Sequence, residues 1–185
     1  MARDDKFGYR DQKYGMWHRS LPHNHGMTDF DQFDISERTL FGIFANVDED
    51  GDDICKFVME CKEIQYSGGY YKLPYLERNQ YDCLRSFCKR YNKQGERSDI
   101  PFFVVCYSID VENDKRWFVV YAGNDACKEK LKKFYGKNKK SVVMSENGYI
   151  RFLSFMIERK IGKKGSHWMP QRILVDDDQF KKSMV

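Results

Sequence analysis

The first periodic stretch of the chain is TDFDQFDIS (28–36), in which Asp29, Asp31, Phe33 and Ile35 recur every second residue and so share one face of a strand. RTLFGIFANV (38–47) predicts a second strand, DEDGDD (48–53) a turn, and ICKFVMECKEIQY (54–66) a third strand antiparallel to the second. SGGYYKLP then breaks the pattern and predicts a loop. From Glu77 to about Asn92 the apolar positions Tyr81, Leu84, Phe87, Cys88 and Tyr91 fall on one helical face. IPFFVVCYSID (100–110) is apolar without alternation, as in a strand covered on both sides. KRWFVVYAG follows the turn VEND as a further strand, then a basic helix from about Asn124 to Tyr135, then GYIRFLSFMIERKIG, an amphipathic helix with Ile150, Leu153 and Ile157 inward. The expectation is a mixed α/β sheet of four to five strands flanked by helices: a three-strand meander, a crossover helix and a fourth strand alongside. The core would span about 15–122, with a basic helical extension over 123–162 in the same domain and a partly mobile tail from Lys163 (163–185).

Composition narrows the class. The chain has 185 residues, 41% of them apolar and 16% aromatic, enough for a core and unlike a disordered segment. Nothing approaches an apolar membrane span, and the polar start MARDDKFGYRDQKYGMW has no signal-peptide core, so a soluble, cytoplasmic protein is expected. Six cysteines (55, 61, 83, 88, 106, 127) form no CxxC pair and fit reduced core thiols.

Charge is unevenly spread. The net charge is +4, yet 29–53 holds nine acids against one arginine, whereas KEKLKKFYGKNKK (128–140) holds seven lysines against one glutamate. An acidic focus beside basic flanks suits a metal-bearing site that receives a polyanion. Lys130, Lys133 and Lys137 in the basic run, and Lys72 after the glycine pair, are candidate phosphate contacts. Their alternative role is an ordinary solvated surface.

The stretch FVMECKEI (57–64) raises the sharpest question, because Glu60 and Lys62 stand two apart on an otherwise apolar strand. They are either an ion pair across strands at a sheet edge, or a metal ligand beside a catalytic lysine. Neighbouring strands lie about 5 Å apart, so Asp29 or Asp31 on the first strand can converge with Glu60 on the third. Two carboxylates and the backbone carbonyl of Cys61 make a hard oxygen set suited to Mg²⁺, for which Mn²⁺ would substitute. Lys62 would position the attacking water or neutralise charge building on a phosphoryl group.

D-x-D followed by M-E-C-K on successive strands resembles the PD-(D/E)XK nuclease superfamily over roughly residues 15–122. The resemblance implies an αβββαβ core, Asp31 (or Asp29) and Glu60 as metal ligands, Lys62 as the catalytic lysine, and Gln80 on the following helix in support. About thirty residues separate the aspartate from Glu60, a wider gap than compact members show, and no proline precedes the aspartate. The function implied is metal-dependent hydrolysis of phosphodiester bonds, with DNA favoured over RNA and a homodimer possible. A catalytically idle module of the same fold that binds nucleic acid or a protein is the alternative. An unrelated α/β interaction domain is the third reading.

Three other motifs carry less. In MWHRSLPHNH (16–25), His18 and Arg19 are candidates to grip a phosphate, while Trp17 is expected in the core and His23 and His25 in solvent. NVDEDGDD imitates a calcium loop but places Phe57 where a bidentate glutamate is required. In SGGYYK, Tyr70, Tyr71 and Lys72 could meet the bases and phosphates of an unpaired strand.

Overall fold

The structure is a computed structural model, and it describes residues 8–21, 57–74, 78–89, 95, 97, 99–157, 161–171, 173 and 174. The first two expected strands (28–36 and 38–47), with Asp29 and Asp31, and the turn at 48–53 lie outside the described residues.

In chain order the elements are α1 (Gly8–Arg19), β1 (Val58–Glu63), β2 (Gln65–Ser67), β3 (Tyr70–Lys72), α2 (Arg78–Phe87), β4 (Phe102–Asp110), β5 (Lys115–Ala122), α3 (Asp125–Tyr135), β6 (Ser141–Ser145), α4 (Glu146–Met156) and β7 (Ile173–Leu174). The fold is mixed α/β. Its main sheet runs β1-β4-β5-β6, with β1 parallel to β4 and the remaining pairs antiparallel. A parallel neighbour needs a crossover, and α2 lies within it as the apolar periodicity predicts. Helices cover both faces.

The continuous apolar run of β4 has the expected cause, because both of its faces are buried. Phe103, Val105 and Tyr107 join Phe118 and Val120 of β5 under α1, α3 and α4, which contribute Trp17, Leu131, Tyr149 and Phe152. Phe102, Val104 and Cys106 join Trp117 and Val119 beneath α2 and a smaller sheet of β2, β3 and β7, which contribute Tyr81, Leu84 and Tyr71.

Four features differ from the sequence expectation. Residues 8–19, for which the periodicity predicts no element, form α1; Tyr14 and Trp17 point inward one turn apart, and Leu21 just beyond the helix joins them. The expected third strand ends at Glu63, and SGGYYKLP is a hairpin rather than a loop. Its turn is Gly68–Gly69, with φ of 62° and 84°, a left-handed pair whose twist matches that of the flanking strands. SVVMS (141–145), between the two expected helices, is β6 and pairs with β5, so residues beyond 123 are built into the main sheet. The expected tail is tied down as far as Leu174. Trp168 packs edge-on to Tyr71 with centroids 6.4 Å apart, and β7 pairs with β3.

One carboxylate joins these parts. Glu146 opens α4, is only 4% exposed, and accepts the indole N–H of Trp17 at 2.6 Å and the backbone N–H of Ser166 at 2.8 Å, while the Arg116 guanidinium lies at 3.3 Å. A buried charge is tolerated when it is hydrogen-bonded and paired in this way. The helix N-terminus adds favourable potential. At the far side of the sheet Tyr81 donates to the carbonyl of Gly123 at 2.6 Å, and a Cβ at Gly123 would overlap the Phe102 ring.

Replacing Glu146 with Ala strands the Trp17 and Ser166 donors and leaves Arg116 with Asp114, and is expected to cost about 3 kcal/mol, read as a lowered urea midpoint, with Glu146→Gln costing less. Gly123→Ala is expected to destabilise by about 2 kcal/mol through overpacking against Phe102.

Candidate active site

Side chains along β1 alternate between the two layers. Phe57, Met59 and Cys61 pack toward α1 and α4, whereas Val58 belongs to the layer of α2 and the small sheet. Glu60 and Lys62 follow Val58 in this alternation, opposite Val104 and Cys106 of β4. Their side chains meet at 2.8 Å, and their exposures are 19% and 27%. The pair therefore forms within one strand, and its cross-strand neighbours on β4 are apolar.

Register places the pair along the sheet. Tyr81 in the first turn of α2 packs with its ring tilted against Phe102, with centroids 5.6 Å apart, at the Val58 end. Tyr71 of the small sheet meets Trp117, opposite Ser108, with centroids 5.0 Å apart. Glu60 (at Val104) and Lys62 (at Cys106) thus sit between the level of α2 and that of the small sheet.

The backbone adds a third oxygen. Val58 donates to Pro101 at 2.9 Å and Ile64 donates to Tyr107 at 2.7 Å, so the even-numbered residues of β1 bond to β4. In a parallel ladder the intervening residues direct both peptide groups to the opposite edge. The Cys61 carbonyl consequently faces away from β4. A carboxylate, a carbonyl and an ammonium within three consecutive residues can bind a hard cation and hold a water or phosphate oxygen beside it.

Lys62 also acts on its neighbour. Burial pushes the Cys106 thiol up to about 12, against the pull of the Lys62 charge. Burial likewise raises Cys127 to about 12. Cys83, Cys106 and Cys127 are free thiols, with Cys83 exposed on α2.

The other expected site residues are dispersed. Gln80 is the third residue of α2, next to Tyr81, which is anchored at the Phe102 end rather than beside Lys62. Arg19 ends α1, in the layer opposite the Glu60–Lys62 pair. His18, a candidate phosphate grip, is instead buried beside the Tyr14 ring at 6.1 Å, because it lies one turn beyond Tyr14 on the same face of α1. Lys130, Lys133 and Lys137 lie on or just after α3, whose buried Cys127 and Leu131 also pack in that opposite layer. Lys130 rests over the Phe155 ring at 5.7 Å. Lys72 is exposed on β3, in the layer of the pair. Among the described residues no three His, Cys, Asp or Glu side chains cluster as a metal site, and none of the helices is long and apolar enough to cross a membrane.

Lys115 and Trp168 carry no sequence signal that marks them as site residues. The ammonium of Lys115 lies 5.6 Å from the Trp168 ring centre, yet the two are about fifty residues apart and nothing in the local pattern joins them. Comparison of the chain with protein-family models, with curated proteins and with solved structures returned no match.

Cys106 and Cys127 keep their protons in the fold at pH values where the unfolded chain loses them. Stability from this source is complete below about pH 9 and is expected to fall as pH rises toward about 12. The buried hydroxyls of Tyr14 and Tyr149, also raised by burial, act in the same direction. Urea midpoints across that window check the sign, and Cys83 is expected to react with a thiol reagent well before Cys106 or Cys127.

Proposed function

We propose that the protein is a metal-dependent nuclease that hydrolyses phosphodiester bonds in DNA. The observation that carries this reading is the Glu60–Lys62 pair, 2.8 Å apart and half-buried over Val104 and Cys106, with the intervening carbonyl turned to the other edge of β1. A pair in that setting adds little stability over well-packed apolar residues. A chemical role accounts better for such a placement than a structural one.

Glu60 and the Cys61 carbonyl are hard oxygen donors that fit Mg²⁺ or Mn²⁺, and the resemblance to the PD-(D/E)XK superfamily supplies Asp31, with Asp29, as further ligands. Bound there, the ion would supply Lewis acidity toward a phosphoryl oxygen. Lys62, already fixed by Glu60, orients the attacking water and offsets negative charge gathering on the phosphate. Gln80, in the resemblance, supports the site from α2. The strand, crossover and parallel strand order of β1, α2 and β4 is compatible with that superfamily's core.

Supercoiled and linear DNA incubated with Mn²⁺ or Mg²⁺ are expected to be cut, and Glu60→Ala or Lys62→Ala to slow cutting by a factor on the order of 10². Calorimetric titration with Mn²⁺ is expected to show a site that Glu60→Ala abolishes. Cutting that both variants retain removes the enzyme reading. Absence of both cutting and metal binding favours the idle module that binds nucleic acid or a protein.

A further inference from the structure

The side of the molecule opposite Glu60 and Lys62 gathers positive charge from three separate segments. Lys130 and Lys133, three apart on α3, share one flank of that helix. Lys130 lies 5.7 Å from the Phe155 ring centre, and Phe134 packs against Phe152 and Phe155 at 5.6 and 5.4 Å, so this flank is the one α3 turns toward α4. Arg151 is exposed on the outer side of α4, away from the buried Tyr149, Ile150 and Leu153. Residues 161–166 then return along α4. Ile161 donates to Ser154 Oγ at 3.2 Å, and the Ser166 carbonyl accepts from the backbone N–H of Asn147 at 3.0 Å. Lys163 and Lys164 stand exposed between those two anchors.

Helical periodicity puts Phe152 and Phe155 on one flank of α4, Asn147 and Ser154 on the other, and Arg151 between them. The band therefore crosses α4 as two rows of lysines with an arginine in the middle, the rows standing about one helix diameter, ~10–12 Å, apart. Lys137, exposed just after the left-handed cap Gly136, extends the α3 end. The carboxylates of α3 and α4 are already engaged: Asp125 by Lys128 at 2.6 Å, Glu129 by Lys132 at 3.9 Å, and the buried Glu146 by Arg116. Among the described residues Lys133, Lys137, Arg151, Lys163 and Lys164 make no ion pair. Tyr135 is the one large apolar side chain exposed on α3, α4 or residues 161–166.

We infer that this band grips the backbone of duplex DNA, one phosphate strand along Lys130 and Lys133 and the other along Lys163 and Lys164. The two strands of B-form DNA face each other across a major groove about 12 Å wide, close to the separation of the rows. Lysines act on phosphates as point charges and read no sequence, so the grip is salt-sensitive and indifferent to bases. A helix that lies in a membrane surface needs an apolar face beside its cations, and this band has none. The band and the Glu60–Lys62 pair lie in opposite layers of the sheet. The DNA held here is therefore a different segment from any presented to that pair, and the grip stands whether or not the pair cuts.

The test is fluorescence anisotropy in EDTA, where no cutting occurs, with a labelled DNA duplex, oligothymidine of equal length and vesicles containing phosphatidylserine. The duplex is expected to bind most tightly of the three. Lys133→Glu combined with Arg151→Glu is expected to weaken it on the order of tenfold or more and to flatten the logarithmic salt dependence by about two. An unchanged thermal melt shows that this variant is folded; should it fail to fold, Lys163→Glu with Lys164→Glu gives the same reading from the other row. Arg85→Glu with Lys89→Glu, an equal change of charge exposed on and just after α2, is expected to leave affinity nearly unchanged. Loss through the α2 pair but not through the band, tighter capture by vesicles or by the single strand, or no duplex binding at low salt overturns the inference. Band-dependent binding without cutting in Mn²⁺ sinks the nuclease reading alone, and cutting without band-dependent binding sinks this one alone.

Discussion

Everything in this fold follows from β4 being buried on both faces. Its residues from Phe102 to Tyr107 are all fully covered, and such a strand requires an apolar layer above and another below. One layer is made by α1, α3 and α4. The other is divided between α2 and the small sheet. The parallel neighbour β1 inherits the same two environments, and its even positions look into the divided layer. Glu60 and Lys62 therefore stand on an apolar floor, partly shielded and paired with each other. A charged pair there is strengthened by the lowered dielectric and at the same time costs desolvation.

The parts legible in the sequence are those whose periodicity is long and whose burial is uniform. β4 and β5 declared themselves as apolar runs, and α2 through Tyr81, Leu84 and Cys88. The shared face of Glu60 and Lys62 was legible too, because period two is a property of any strand. What escaped was short or interrupted. α1 carries Gly8 and Gly15 and no regular run of aliphatic residues, so its apolar stripe is sparse. β6 has five residues between a lysine run and a helix, too few for alternation to stand out. The small sheet depends on β7, whose two residues pair with a strand from the middle of the chain.

Placement across the sheet was the least legible property. The lysines of α3 cluster in sequence as phosphate contacts would, yet which side of a sheet a helix covers is decided by its connections and by the partners of its buried face. Cys127, Leu131 and Phe134 commit α3 to the layer of Phe152, away from the Glu60–Lys62 pair. Conversely, Lys115 and Trp168 became neighbours of the hairpin through tertiary contacts that no local pattern encodes.

The pairing of Tyr71 with Ile173 joins points about a hundred residues apart. During synthesis the glycine-turned hairpin emerges early, but the strand that completes its sheet is among the last described segments to leave the ribosome. Until then β3 presents an open ladder of amide and carbonyl groups, the template on which strands of other molecules dock. Lys72 at that edge, with the lysines at 163 and 164 arriving just ahead of β7, gives the nascent chain a like-charge deterrent against self-association before its own strand closes the gap.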